Sequence, residues 1–340
     1  MHFLFVCLCA PRIKRGDSIT EQTHDLELYE STAKYDAQCK VLLSQKILLA
    51  WIMHTVIPEY EDLAVEEIPA YIEADPKLSS VRVDPGDPNM PRIHGDNTED
   101  TVPGEGTVYY DIRFRASLPG TGKPAGILVN LEAQKIFDPG YSLVTRGIYY
   151  CGRMLSSQKG VEFKGDDYDG IKHVFSIWVC TSGRDYIGNA IVRFHMSKED
   201  ITAGYPDRPS EYDKLTVALI CLNEKAEDHH PLTKLLNTIF SEKLSVEEKR
   251  TILKEHFGII MRDDFGKELT FMRTLGEELA ERHFQKGLQE GLQEGRQQAN
   301  EHTAMRLLVK GVFSDTEIME LADITEEQLQ ELKERTAAGV

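Results

Sequence analysis

The sequence lacks an excess of positive charge. Its 340 residues carry 39 lysines and arginines against 56 aspartates and glutamates, a net charge of −17 at pH 7. A protein that coats nucleic acid would be basic, so the charge argues against that class. A nuclease is not excluded, because a site that holds divalent cations gathers carboxylates and DNA contact needs only a local basic patch. A membrane-length apolar run is also missing. The apolar stretch at residues 1–10 (MHFLFVCLCA) is too short to span a bilayer. Its basic neighbours, Arg12, Lys14 and Arg15, follow the run, whereas a secretory signal has them in front. Residues 1–25 therefore read as a poorly ordered leader from an upstream start codon. The six cysteines (Cys7, Cys9, Cys39, Cys151, Cys180, Cys221) form no Cys-X-X-Cys pair and no Cys/His cluster of zinc spacing. Reduced, mostly buried thiols in a cytoplasmic protein are the expectation.

What is present suits a folded α/β chain. Hydrophobic residues make up 41% and charged residues 28%, ordinary values for a globular protein. Residues 35–57 repeat Val41, Leu42, Ile47, Leu48, Trp51, Ile52 and Val56 at helical spacing, and Pro58 ends the run. Residues 76–106 are rich in Pro, Gly, Asp and Asn and read as an irregular insertion. Residues 108–116 (VYYDIRFRA) then alternate, with Tyr110, Ile112, Phe114 and Ala116 on one face and Tyr109, Asp111, Arg113 and Arg115 on the other. A Gly/Pro turn leads to a second strand over 126–135 (GILVNLEAQK), which predicts a hairpin. Asp138-Pro139 predicts a helix start, with Val144, Ile148, Cys151 and Leu155 on one face and Arg146, Tyr150 and Arg153 on another. Three more strands are predicted over 174–180, 189–196 and 215–222.

Beyond residue 226 the pattern is helical: 232–240, 246–257, and a charged helix over 277–301. That last helix contains Gly287, Gly291 and Gly295 at a period of four. Each glycine weakens it by about 1 kcal/mol, and the strip reads equally as a partner surface or a solvated spacer. Ser314…Glu317 and Thr325…Gln328 predict capping boxes on two closing helices. His229-His230 looks like a ligand pair, but adjacent residues on a helix do not share a face, so a loop position is expected. The divisions predicted are a leader (1–25), a core (26–225), a helical extension (226–285) and the charged helix with its helical pair (286–340).

One constellation carries chemistry. Hydrolysis of a phosphodiester by a metal needs carboxylates converging on the ion, and Mg²⁺ takes one or two of them and keeps several waters. Asp111 lies on the first strand, and Glu132 lies on its partner. Gln134 points the same way as Glu132, while Ile127, Val129, Leu131 and Ala133 point into a core.

Asp111-Ile112-Arg113-Phe114-Arg115 followed by Asn130-Leu131-Glu132-Ala133-Gln134-Lys135 resembles the PD-(D/E)XK nuclease superfamily, which has an acid on one strand and Glu-X-Lys or Glu-X-Gln on the next. It is most similar to the Rpn-like branch of recombination-promoting, transposase-related nucleases, where Gln commonly replaces Lys. Residues 139–150 (PGYSLVTRGIYY) and the glycine-periodic helix with its small helical pair are similar to that branch as well. Two departures stand out: Tyr110, not proline, precedes Asp111, and Gln134 stands in the lysine's place. Glutamine orients a water but supplies no charge.

The resemblance implies a restriction-endonuclease-like α/β core with a mixed central sheet flanked by helices, followed by an α-helical C-terminal region. It implies a DNA endonuclease that uses Mg²⁺ or Mn²⁺ in recombination or a mobile-element setting. Asp111 and Glu132 would hold the metal and Gln134 would position water or a phosphate oxygen. Arg146, with Tyr150 and Arg153, would be the phosphate-binding candidates. A further acid from an N-terminal helix is common in the superfamily, and Glu59, Glu66 and Glu67 are candidates that also read as solvated surface. DNA is the expected partner, with self-association through the C-terminal helices and no membrane. Mutual repulsion of the acids would make Asp111→Asn and Glu132→Gln neutral or slightly stabilising without metal. A second reading keeps the fold without useful catalysis, as a binding module. A third, a glycosidase acid/base pair, is remote because no aromatic platform accompanies the acids in sequence.

Overall fold

The computed structural model describes residues 19–78, 99–102, 106–120 and 126–337. The first 18 residues of the leader and most of the 76–106 insertion lie outside the described residues. Among the described residues the strands are β1 (Ile72–Leu78), β2 (Glu99–Val102), β3 (Gly106–Tyr109), β4 (Ile112–Ala116), β5 (Ile127–Ile136), β6 (His173–Ser182), β7 (Ala190–His195) and β8 (Leu215–Cys221). The helices are α1 (Ile19–Leu43), α2 (Lys46–Val56), α3 (Leu143–Ser156), α4 (Pro209–Tyr212), α5 (Pro231–Phe240), α6 (Val246–Phe257), α7 (Asp263–Lys310), α8 (Asp315–Ala322) and α9 (Glu326–Ala337). None is long and apolar enough to cross a membrane alone. The single helix expected over 35–57 is two, α1 and α2, bent by 77° at Ser44-Gln45.

Two compact units result, residues 31–277 and a second that includes residues 278–337. The first is an α/β unit on a six-stranded mixed sheet of order β1-β4-β5-β6-β8-β7. Strands β1, β4 and β5 run antiparallel. Strands β5, β6 and β8 run parallel, with β7 antiparallel at the edge. The β5–β6 connection is α3, the helical crossover that parallel neighbours require. Strands buried on both faces need continuous apolar sequence, and β6 (HVFSIWVCTS) and β8 (LTVALIC) have it.

Helix α3 covers one sheet face. Leu143, Tyr150, Cys151 and Met154 pack there with Val174, Trp178, Val217 and Leu219. This corrects the expected stripe: Ile148 is 47% exposed and Tyr150 is buried. Gly147 sets the rotation. A Cβ at that position would meet Val217 Cγ1 at 2.6 Å and Trp178 Nε1 at 3.1 Å, so the glycine side of the helix lies on the sheet. The helix also starts later than Asp138-Pro139 suggests. Gly140 has φ +91°, outside the helical region, and Ser142 is the N-cap, accepting from the Thr145 N–H at 3.3 Å.

The opposite face (Phe114, Val129, Leu131, Phe175, Ile177, Ala218) is also buried. Helices α1, α2, α5, α6 and the start of α7 supply many more buried apolar side chains, and the segment between α2 and β1 adds Tyr60, Val65 and Ile68. Trp51 meets Phe257 edge-on at 5.5 Å, tying α2 to α6. Gln38 donates to the Glu268 carbonyl at 3.2 Å, tying α1 to α7. Ser245 heads α6 with a full capping box. His230 caps α5, its Nδ1 accepting from the Leu232 N–H.

The second unit has a small core of its own. Ala304 from α7 meets Ile318, Ala322, Ile324, Leu329 and Leu332 from α8, α9 and their link. Both predicted caps are present: Ser314 with Glu317, and Thr325 with Gln328.

Candidate active site

Strand β5 places its side chains by simple alternation. Leu128, Asn130, Glu132 and Gln134 lie opposite Val174, Ser176, Trp178 and Cys180 of β6, on the α3 face. Ile112 pairs with Leu131, so Asp111, one residue before β4, arrives beside Glu132. The predicted continuous strand over 108–116 breaks at Tyr110-Asp111: β3 pairs with β2 in a separate ribbon, and β4 joins the main sheet. The break reverses the expected faces, for Tyr110 packs in the α3-side cluster rather than with Ile112 and Phe114. It also frees Asp111 from strand alternation.

The two acids are interlocked through the backbone. The Asp111 N–H donates to Glu132 Oε1 at 3.1 Å, and the Ala133 N–H donates to Asp111 Oδ2 at 3.1 Å. Glu132 is 5% exposed. Burial, then the nearby Asp111 charge, pushes its carboxyl well above the usual carboxylate range, while Arg146 and Lys40 pull it back.

Two cations answer the two acids. Lys40, from α1, places Nζ 2.7 Å from Asp111 Oδ1, with the two side chains 16% and 17% exposed. Burial works to lower its ammonium. The pairing with Asp111, aided by Glu132 and Asp36, outweighs that, and the group ends above its ordinary value. The ion pair overturns the expectation for Asp111→Asn: Asp111 is compensated, so removing its charge strands a largely buried ammonium. Arg146, from the first turns of α3, is held in an aromatic frame. It donates to the hydroxyls of Tyr150 (3.1 Å) and Tyr141 (2.7 Å), and its guanidinium lies 5.1 Å from the Trp178 ring. Arg suits such stacking because its planar cation offers both faces and its edges at once. Tyr110 meets Tyr150 edge-on at 5.4 Å and completes the frame.

No family model, curated protein or solved structure matches the chain. The site therefore stands on its own geometry. The structure brings together Asp111, Glu132, Arg146 and Tyr150, with Gln134 two residues along the same strand face. Arg153 is 5% exposed and donates to the Tyr149 hydroxyl at 3.2 Å. Glu66 and Glu67 are exposed. Glu59 lines a cleft of about 390 Å³ with His173, Arg193, His195 and Asp213, at the other end of the parallel strands. A second cleft, about 370 Å³, lies at the start of α3 between Phe137, Tyr141 and Leu143, next to the tyrosine that holds Arg146.

Sequence reasoning missed Lys40. Its signal is faint: it is the one charged residue between Asp36 and Lys46, in the stretch Cys39-Lys40-Val41-Leu42-Leu43. As for a metal, no three of His, Cys, Asp and Glu converge among the described residues. Two carboxylates do meet, and a hard cation that takes one or two protein carboxylates and keeps its waters fits that donor set in kind.

Proposed function

We propose that the chain is a metal-dependent DNA endonuclease with a restriction-endonuclease-like core of the PD-(D/E)XK type. The observation that supports this reading is the interlock of Asp111, just before β4, with Glu132 on β5, Lys40 paired to Asp111 and the charge of Arg146 felt by Glu132. In this reading the two carboxylates would hold Mg²⁺ or Mn²⁺, whose chemistry, when bound, would be to activate a water and polarise the phosphate. Gln134 orients that water or a phosphate oxygen through its amide. Arg146, fixed by Tyr141 and Tyr150, presents positive charge to the phosphodiester. Arg153, buried against Tyr149, belongs to the support of α3 rather than to the first contact with phosphate. The setting implied is recombination or a mobile element, in the cytoplasm. The test is nicking of supercoiled plasmid with Mg²⁺ or Mn²⁺. Wild type is expected to nick, and Asp111→Ala and Glu132→Gln are expected to fall at least 100-fold. Equal rates in all three would assign the activity to another source.

A second reading, a nuclease-fold binding module for DNA or protein, is favoured by charge balance. Lys40 and Arg146 already offset the two acids, which weakens the pull on a divalent ion. Self-association would then run through α7, where Phe284, Leu288 and Leu292 stand 64%, 49% and 67% exposed. Calorimetry with Mn²⁺ separates the readings: no heat of binding favours the module.

A further inference from the structure

Gln134 brings no charge to the site, and the strand that carries Glu132 offers no cation on that face among Leu128, Asn130, Glu132 and Gln134. The ammonium comes from elsewhere. Lys40 projects from the last turns of α1 and puts Nζ 2.7 Å from Asp111 Oδ1. The same carboxylate is held on its other oxygen by the Ala133 N–H. Its position is therefore fixed from both sides, and so is the ammonium's. Helix α1 is itself anchored, since Gln38, two residues earlier, is buried and donates to the Glu268 carbonyl on α7. Cys39, Leu42 and Leu43 are buried around it. A lysine on a solvated helix face would lose side-chain freedom in such a pair for little return. Here the surroundings hold the side chain in place, which is how charge is preorganised for a reaction that develops negative charge.

Resting on the nuclease reading, we propose that Lys40 is a catalytic residue of this site, the ammonium that meets the scissile phosphodiester and stabilises the charge that develops on it. Lys40 and Arg146 then form a two-cation clamp, one from α1 and one from α3, both acting on the acid pair. Lysine fits the α1 position because its ammonium has three donors, so that one can stay on Asp111 Oδ1 while another meets a phosphate oxygen.

The experiment uses the full chain, supercoiled plasmid with Mn²⁺ for nicking, and Mn²⁺ alone for calorimetry. Lys40→Gln is expected to lower nicking at saturating Mn²⁺ at least 100-fold while Mn²⁺ binds as tightly as in wild type or tighter, because a competing cation has left Asp111. Lys40→Gln/Gln134→Lys, which returns an ammonium to the same site from β5, is expected to recover to within about 10-fold of wild type. This double variant also decides the matter if Lys40→Gln alone melts too low to assay. Three outcomes overturn the proposal. If wild type nicks and Lys40→Gln nicks as fast, Lys40 is a bystander and the nuclease reading survives. If metal affinity and nicking fall together and the double variant stays inactive, Lys40 only props Asp111. If wild type neither nicks nor binds Mn²⁺, the nuclease reading fails and the role of Lys40 goes with it.

Discussion

Gly147 of α3 and the glycine run Gly287, Gly291 and Gly295 of α7 all lie inside helices, and they meet different surroundings. Gly147 of α3 has no room for a methyl group: a Cβ would sit 2.6 Å from Val217 Cγ1. Gly287, Gly291 and Gly295 of α7 face open space, with nothing within 4 Å of an added Cβ. At Gly147 the missing side chain lets a helix touch a sheet. That contact places Arg146 over Trp178, the residue opposite Glu132. At the three α7 glycines no packing contact among the described residues calls for glycine, and each costs helix stability. Gly147 is thus part of how the site is built. At Gly287, Gly291 and Gly295 it leaves a helix surface with no close neighbour among the described residues.

The largest expected effect breaks the comparison at its packed end. Gly147→Val adds three carbons where one already clashes with a stiff β-branched neighbour, and should cost about 3 kcal/mol. Thermal or denaturant melting measures it, and on the proposed nuclease reading nicking should fall with it because Arg146 is carried on the same turn. A change under 0.5 kcal/mol would mean that α3 does not lie as close to β8 as described. Next comes Asp111→Asn, which leaves the Lys40 ammonium without its partner. The pair is partly exposed, so the cost is about 2 kcal/mol rather than the full penalty of a buried pair. Glu132→Gln is the contrast, neutral or slightly stabilising, since burial and Asp111 already disfavour the charge there. Equal melting temperatures for the two variants would show that Lys40 does not pair with Asp111 in solution.

These residues also mark how far the sequence could be read. Strands β5, β6 and β8 are plain from their apolar, β-branched runs, and the caps at Ser314 and Thr325 from four-residue patterns, because local chemistry decides both. Glu132 and Gln134 share a face by alternation alone. The rest depends on contacts between distant parts of the chain. Tyr110-Asp111 reads as mid-strand because alternation continues through it, yet the pairing of β3 with β2 breaks the strand there. The buried stripe of α3 follows Gly147, whose close approach to Val217 and Trp178 leaves no mark in helical periodicity. Lys40 belongs to the site only because α1 is anchored to α7 and set beside β4, and no motif records that.

At the open end of the comparison, Gly287→Ala, Gly291→Ala and Gly295→Ala should each stabilise α7 locally by about 1 kcal/mol, with no clash to offset the gain. Helical circular dichroism and the hydrogen-exchange rates of those amides measure it. A loss of stability at any of the three would reveal a close neighbour in solution, and a second copy of the chain would be the first to test by sedimentation.

The smallest effect is in pH, and it separates the two units by window. In the sheet unit, His173 stacks on Phe175 at 4.2 Å and bonds Thr216 Oγ1 at 2.9 Å. Burial lowers its pKa from 6.5 to about 4, with Asp213 opposing and Lys214 and His195 adding to the shift. Between those values the unfolded chain binds the proton and the folded chain does not, so stability drops as pH falls from about 6.5 to about 4. Glu132 works the other way, since its raised carboxyl favours the fold at low pH and loses that contribution as pH rises through its folded value. The contribution of His173 must therefore be read as a difference from His173→Gln: the gap in melting temperature should shift in favour of the variant as pH drops through that window. In the second unit Glu317 is held below 4.5 by the Ser314 backbone and side chain. Its stabilisation is complete above 4.5 and is lost only as pH falls through its lowered folded value. Glu317→Gln should accordingly leave the shape of the profile above pH 5 unchanged, whereas His173→Gln should alter it there. If the gap for His173→Gln is flat from pH 7 to pH 4, the imidazole is solvated, and the start of β6 is more open than the packing of Phe175 and Thr216 around it allows.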